Sequence, residues 1–313
     1  MKETENIKDC DVYQYLLITI LISFLFFFCN NEKKKDSKNR DDIGYILKCP
    51  SKPKGLVVLF PMYGMNIAET DFQTRIDEKF YEENFASLIV NYKKDFFLDK
   101  KDFNLLYKLV NKIIVNNNIP LDKIIIGGFS TGGNIALCYS IWVNKLNLLN
   151  KPTGIFVGDS PVDLPLFYKQ KMSIINDNDK YDENVINTSK YLIQILDNSI
   201  GNPESDSDAY SKFSPYNHND IENSNIKYLL DYPICFYSEP ALNWYKKNVG
   251  FDYAALNSFS IDSFQNELKK RSLKKIEFIK TIDKGYINGK KIPHSWSIIN
   301  ENHLFNWMIT NQN

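Results

Sequence analysis

Three histidines are all that the 313-residue chain carries, at positions 218, 294 and 303. Five cysteines are scattered as Cys10, Cys29, Cys49, Cys138 and Cys235, with no Cys-x-x-Cys pair and no zinc-like spacing. That scarcity excludes a disulfide scaffold and a zinc-finger-like metal centre, and nothing in the pattern asks for a metal or a cofactor. Excess charge is missing as well: 38 Lys and Arg balance 38 Asp and Glu. A neutral chain has no electrostatic footprint for a nucleic-acid partner. No internal repeat is visible, which excludes a solenoid or propeller.

One long apolar run is present, Tyr15 to Phe28, followed by Cys29 and the polar tract Asn30 to Ser37. About fourteen residues is short for a membrane-crossing helix and suits the core of a signal peptide. A cysteine at this boundary resembles a bacterial lipoprotein signal, which implies acylation of Cys29 and attachment to the cell envelope. Two other readings stay open. An uncleaved anchor would, by the basic flank from Lys33 to Arg40, leave the following domain facing the cytoplasm, and a cleaved form would be freely exported. The expected division is a signal or anchor over 1–28, a flexible tether over 29–43 and a catalytic domain over 44–313.

Hydrophobic content of 43% allows one large core in that domain. Short apolar runs at 45–47, 55–60, 86–92, 123–126, 154–158, 232–238 and 275–279 read as strands. Helical patterning lies between them, around Glu69 to Glu83, Phe103 to Val115, Asn134 to Cys138 and Ile261 to Arg271, with a last helix from about Asn302. Continuous apolar strands alternating with helices imply a mostly parallel central sheet covered on both faces. The stretch from about 164 to 224 breaks the alternation. It is polar, patterned as helix only around Asn187 to Leu196, and reads as a cap inserted before the penultimate strand. Cys138 and Cys235 fall within apolar surroundings and read as small buried hydrophobes.

The informative motif is Gly128-Phe129-Ser130-Thr131-Gly132, set between the strand Lys123 to Ile126 and the helix-forming Asn134 to Cys138. A strand that feeds a helix through Gly-x-Ser-x-Gly makes a turn so sharp that its flanks must be almost free of side chain, and it exposes the serine hydroxyl above the sheet. Ser130 is therefore the candidate nucleophile. A serine hydroxyl needs a neutral imidazole to accept its proton.

The element order resembles the α/β-hydrolase superfamily over residues 44 to 313. The resemblance implies a metal-free serine hydrolase with a Ser-acid-His triad. It places the base at His294, in Lys291-Ile292-Pro293-His294-Ser295, after the last strand of the sheet. It places the acid at Glu239, directly after the penultimate strand, with Asp159 or Asp163 as the alternative site. Oxyanion donors are implied at the amides of Thr131 and Tyr63, the latter in Pro61-Met62-Tyr63-Gly64, where Met62 stands for the usual glycine. Asp208 to Pro215 is similar to the Tyr-x-x-x-Ser-Pro segment of many esterase and peptidase members, and as a Ser-Pro turn it would close the cap.

The expected reaction is cleavage of a small ester through an acyl-enzyme. A peptidase or thioesterase of the same fold stays open, as does a membrane-tethered binding protein that keeps the scaffold without turnover.

Overall fold

The computed structural model of the chain describes residues 43–92, 96–177, 179–222, 224–271 and 275–311. The expected signal or anchor over 1–28, Cys29 and the expected tether up to residue 42 lie outside the described residues. Among the described residues no helix is long and apolar enough to cross a membrane.

The framework is a seven-stranded sheet: β1 (Tyr45–Lys48), β2 (Leu56–Phe60), β3 (Ala86–Val90), β4 (Ile124–Phe129), β5 (Gly154–Gly158), β6 (Ile234–Ser238) and β7 (Ile276–Lys280), in spatial order β1-β3-β2-β4-β5-β6-β7. β1 pairs antiparallel with β3, and every other neighbouring pair is parallel. β2 through β6 are buried along their whole length. Strands covered on both faces have no solvent side to alternate with, which is why they read as unbroken apolar runs.

Alternation survives in where the side chains go. Leu56, Val58 and Phe60 join one hydrophobic layer, while Val57 and Leu59 join the other. The first layer is covered by α3 (Lys100–Asn116), α4 (Thr131–Lys145) and α9 (Asn257–Lys270), the last following the short α8 (Leu242–Val249). The second is covered by α2 (Ile76–Glu82) and α10 (Glu301–Asn311). Each fully buried Leu, Ile or Phe contributes roughly 1.5–3 kcal/mol, so these layers supply the main driving force for the fold.

Two expectations about helices are corrected. The single helix around Glu69 to Glu83 is two, α1 (Ile67–Gln73) and α2. Asn66 and Glu69 form a reciprocal capping box that starts α1, and Thr74 is extended and accepts from the Ile76 amide, which breaks the run. The insertion between β5 and β6 holds three helices where one was expected: α5 (Leu164–Asn176), α6 (Glu183–Ser199) and α7 (Ser207–Phe213). Asp163 caps α5 at the Leu166 amide and Pro165 stands at its start, so helix-start chemistry is present there. The apolar stripe is thin and set among polar residues, and its burial comes from α6. Leu164, Phe167, Tyr168, Ile193, Leu196 and Tyr210 pack as one cluster.

The Ser-Pro turn closes this insertion on itself. Ser214 Oγ accepts from the Leu164 amide at 3.0 Å and donates to the Tyr216 carbonyl, joining the two ends of the insertion. Cys138 and Cys235 are buried as expected, and burial pushes the Cys138 thiol up to about 12.

Candidate active site

β4 ends at Phe129 and α4 begins at Thr131, so a single residue, Ser130, makes the whole turn between them. Its backbone is left-handed, with φ 54° and ψ −124°. A non-glycine residue there is strained by about 1–3 kcal/mol, and the surrounding packing must hold it. The hold is visible: the Ser130 amide donates to the Gly158 carbonyl at 2.7 Å, and the Ser130 carbonyl accepts from Ser160 Oγ and from the Gly133 amide.

The glycines on either side have steric causes. A Cβ on Gly132 would lie 2.2 Å from the Phe60 carbonyl oxygen, and one on Gly128 would lie 2.4 Å from the Gly132 carbonyl carbon. Backbone presses on backbone at both positions, so no side-chain movement could relieve the clash.

β5 lies beside β4, and its chain turns at Asp159, also at positive φ (39°). Both carboxylate oxygens of Asp159 are used. Oδ1 accepts from Ser238 Oγ at 2.7 Å, and Oδ2 is 2.6 Å from His294 Nδ1. The Asn257 side chain donates to the Asp159 carbonyl, which fixes the turn from the α9 side. The ring of His294 lies over Phe129, centroids 4.9 Å apart. Its loop is anchored by the buried Trp296, which packs against the same Phe129 at 5.5 Å, and by Ser295 Oγ donating to the Ile292 carbonyl.

The expected pairing of Glu239 with His294 is not the one formed. Glu239 Oε2 accepts from Thr281 Oγ1 at 2.9 Å and from the Lys284 amide at 2.7 Å, and Lys291 Nζ stands 3.8 Å from Oε1. The reason is position in the sheet. Glu239 follows β6, one strand beyond β5, and adjacent strands are about 4.8 Å apart. An imidazole held above Phe129 meets the carboxylate at the end of the adjoining strand first. Asp163, the other alternative acid, caps α5 and holds His218: Oδ2 accepts from the His218 amide at 2.9 Å and lies 2.8 Å from its Nδ1.

Of the expected oxyanion donors, the Thr131 amide sits at the N-terminus of α4, where the helix dipole favours negative charge. The Tyr63 amide is brought beside it and donates to Thr131 Oγ1 at 2.7 Å. Tyr63 also faces the insertion, with its hydroxyl 2.9 Å from that of Tyr191 on α6 and its ring against Phe96.

Ser130, Asp159, His294, Tyr63 and Thr131 all line one cavity of about 770 Å³. It opens at the carboxyl ends of the parallel strands, where open α/β sheets place their ligands. Phe167, Lys171 and Leu192 of the insertion form part of its wall. Two contributors escaped sequence reasoning. One is the hairpin β8 (Tyr286–Ile287) and β9 (Lys290–Lys291), which brings Ile287, Lys290 and Lys291 to the rim. Its signal was the Asn288-Gly289 pair, both at positive φ, as a tight hairpin turn requires. The other is Lys171, for which the sequence carries no local signal.

Among the described residues, metal-ligating atoms come together at one place away from this cavity. Cys235, Glu277 and His303 have ligand atoms within 4.8 Å of one another, and none of the three lines the cavity. His303 Nδ1 is engaged with Tyr237 Oη at 2.7 Å, and burial pushes the Cys235 thiol upward, so sulfur is held in its neutral form.

No family model and no curated protein sequence matches this chain. Solved structures do. A fungal esterase from Rhizomucor miehei matches with a TM-score of 0.56 at 15% identity, over 96% of this chain and 89% of its own. A putative esterase from Staphylococcus aureus gives 0.55 at 12% identity, over 98% and 92%. A hyperthermophilic esterase from Pyrobaculum calidifontis gives 0.51 at 13% identity, over 95% and 86%. The fold is that of the α/β-hydrolases. In that fold Ser130 makes the turn from the middle strand β4 into α4, and the insertion lies between β5 and the penultimate strand β6.

Proposed function

We propose that this α/β-hydrolase-fold chain is a serine hydrolase of ester substrates, working through an acyl-enzyme. Ser130 Oγ attacks the carbonyl carbon. His294 accepts the serine proton and returns it to the departing alkoxide, and a water activated by the same ring then releases the acid. Asp159 holds the ring tautomer and balances the imidazolium. The amides of Thr131 and Tyr63 receive the oxyanion, with Tyr63 turning its N–H from the Thr131 hydroxyl to the developing charge.

The observation that carries this reading is the 2.6 Å contact between His294 Nδ1 and Asp159 Oδ2, made inside the cavity into which the strained Ser130 opens. An imidazole oriented by a carboxylate and sharing a cavity with an elbow serine is what acyl transfer draws on. Esters are favoured over amides because an alkoxide leaves more readily than an amine.

Labelling with a fluorophosphonate tests it. Wild type should label at Ser130 and the S130A variant should not. A folded wild type that neither labels nor hydrolyses 4-nitrophenyl esters would point instead to a binding protein on this scaffold, the reading favoured if the Tyr63 amide stays committed to Thr131.

A further inference from the structure

Lys171 on α5 is 8% exposed, and it lines the same cavity as Ser130 and His294. Among the described residues it has no hydrogen-bond or carboxylate partner. Its neighbours are two ring faces, Phe167 with Nζ 4.8 Å from the centroid and Phe251 with Nζ 5.4 Å from the centroid. The acids that line the cavity are spoken for: Glu69 in the α1 capping box, Asp159 with Ser238 and His294, and Glu239 with Thr281, Lys284 and Lys291.

A buried ammonium without a counter-ion is costly, and ring faces return only a part of its lost hydration. A methionine or leucine would fill the same space without that cost. The arrangement makes sense if the counter-ion arrives with the ligand. The cavity lining also carries several apolar side chains, among them Met62, Phe96, Leu192, Trp244 and Ile287. They suit a hydrocarbon spacer between an ester carbonyl at Ser130 and a charged group at Lys171.

We infer that Lys171 is a specificity residue that receives the remote carboxylate of a half-ester substrate, an ester group and a free carboxylate joined by an aliphatic chain. This inference rests on the hydrolase reading for the ester end and on Lys171 alone for the acid end. A carboxylate fits better than a phosphate, because one lysine neutralises one negative charge and a dianion would be left half-compensated among aromatic rings. Burial lowers the Lys171 amine to about 8, which keeps it mostly protonated at neutral pH, and a bound carboxylate would draw it back up.

The test compares 4-nitrophenyl half-esters of the straight-chain diacids, succinate to suberate, with the same compounds capped as methyl esters. Wild type should prefer the free acid in kcat/KM by about tenfold or more at one or more chain lengths, and K171M should cut that ratio by about tenfold. K171R should keep part of the preference, because it keeps the charge. K171M should also melt at or above the wild-type temperature, since it removes an unpaired buried charge, whereas a lysine serving the fold would lower it. Absence of a preference at every length, or a preference that survives K171M, overturns the inference.

Calorimetry with glutarate and suberate separates the two readings. If no ester is turned over yet wild type binds a diacid about tenfold more tightly than K171M, the hydrolase reading fails and the carboxylate site stands. If esters are cleaved and no diacid binds through Lys171, the hydrolase stands and the carboxylate site falls.

Discussion

His294 Nδ1 lies 2.6 Å from Asp159 Oδ2, while Glu239, the acid that chain order favours, is bound by Thr281 and Lys284. The two carboxylates should therefore behave differently when neutralised at constant shape. D159N presents an amide to the imidazole, which stabilises the wrong tautomer and withdraws the charge that balances the imidazolium, and kcat should fall by about 10³ to 10⁴. E239Q disturbs the Thr281 to Lys291 loop and should cost less than about tenfold. Steady-state hydrolysis of a 4-nitrophenyl ester decides it, and equal losses would mean that the observed pairing is not the working one.

How much of this was legible beforehand follows from where each signal lives. The elbow is local: Gly128, Ser130 and Gly132 are fixed by contacts within one turn and with the end of β2, so the pentapeptide carries its own structural cause. The sheet was legible for a similar reason, since strands buried on both faces must be apolar throughout. Which carboxylate meets His294 was not, because Asp159 and Glu239 both follow strands and the choice between them depends on which strand end lies beneath the ring. Lys171 was invisible because its burial depends on the packing of α5 and α6 and on Phe251, about eighty residues away in the chain.

Gly132 offers a test of the elbow independent of activity. A methyl group there would lie 2.2 Å from the Phe60 oxygen and 2.5 Å from the Pro61 oxygen, both main-chain atoms. G132A should lose about 3 kcal/mol or more and label poorly with fluorophosphonate, because the turn must open to admit the methyl. Urea unfolding followed by fluorescence gives the value. A loss under about 1 kcal/mol would show that β2 and α4 can separate more readily than this packing allows.

His218 gives a pH-dependent prediction that concerns the cap and not the chemistry. Its hydrogen bond to Asp163 raises the imidazole above its usual value, although burial and the nearby Lys169 oppose this. A group whose pKa is higher folded than unfolded binds protons more tightly in the native state. Its contribution is complete below the unfolded value, about 6.5, and is lost as pH rises through the folded value. The stability difference between wild type and H218Q should shrink over that rise. The part due to the neutral hydrogen bond remains, so the difference need not reach zero. A difference that grows with pH would contradict the assigned pairing.

The Asn288-Gly289 turn should be sensitive although nothing crowds it. A Cβ on Gly289 meets no atom within 4 Å, so the only penalty of G289A is the positive φ of 77°. That cost is about 1 kcal/mol. The consequence should be felt at the rim, where β9 carries Lys291 toward Glu239 and Asp283. KM for a neutral ester should rise more than kcat falls, because the hairpin lines the cavity and carries none of the groups assigned to the chemistry. Stability and steady-state kinetics measured on the same variant separate the two effects.

Far from the cavity, Lys48 on the edge strand β1 holds two acids, Asp71 at 2.7 Å and the fully buried Asp77, which it also hydrogen-bonds. Burial raises the Asp77 carboxyl despite this partner. Removing the cation with K48M leaves a buried carboxylate uncompensated and should cost about 2–3 kcal/mol at neutral pH, at or just below the lower end of what a broken buried pair costs because Lys48 is itself a third exposed. The sign with pH follows from the raised value. As pH falls toward the carboxylate range, Asp77 protonates early and no longer needs a cation, so the K48M penalty should diminish. In a D77N background the same K48M change should cost little at any pH. A double-mutant cycle by urea unfolding at neutral and mildly acidic pH measures the coupling directly, and equal K48M penalties in both backgrounds would show that the lysine secures β1 through its stem or through Asp71.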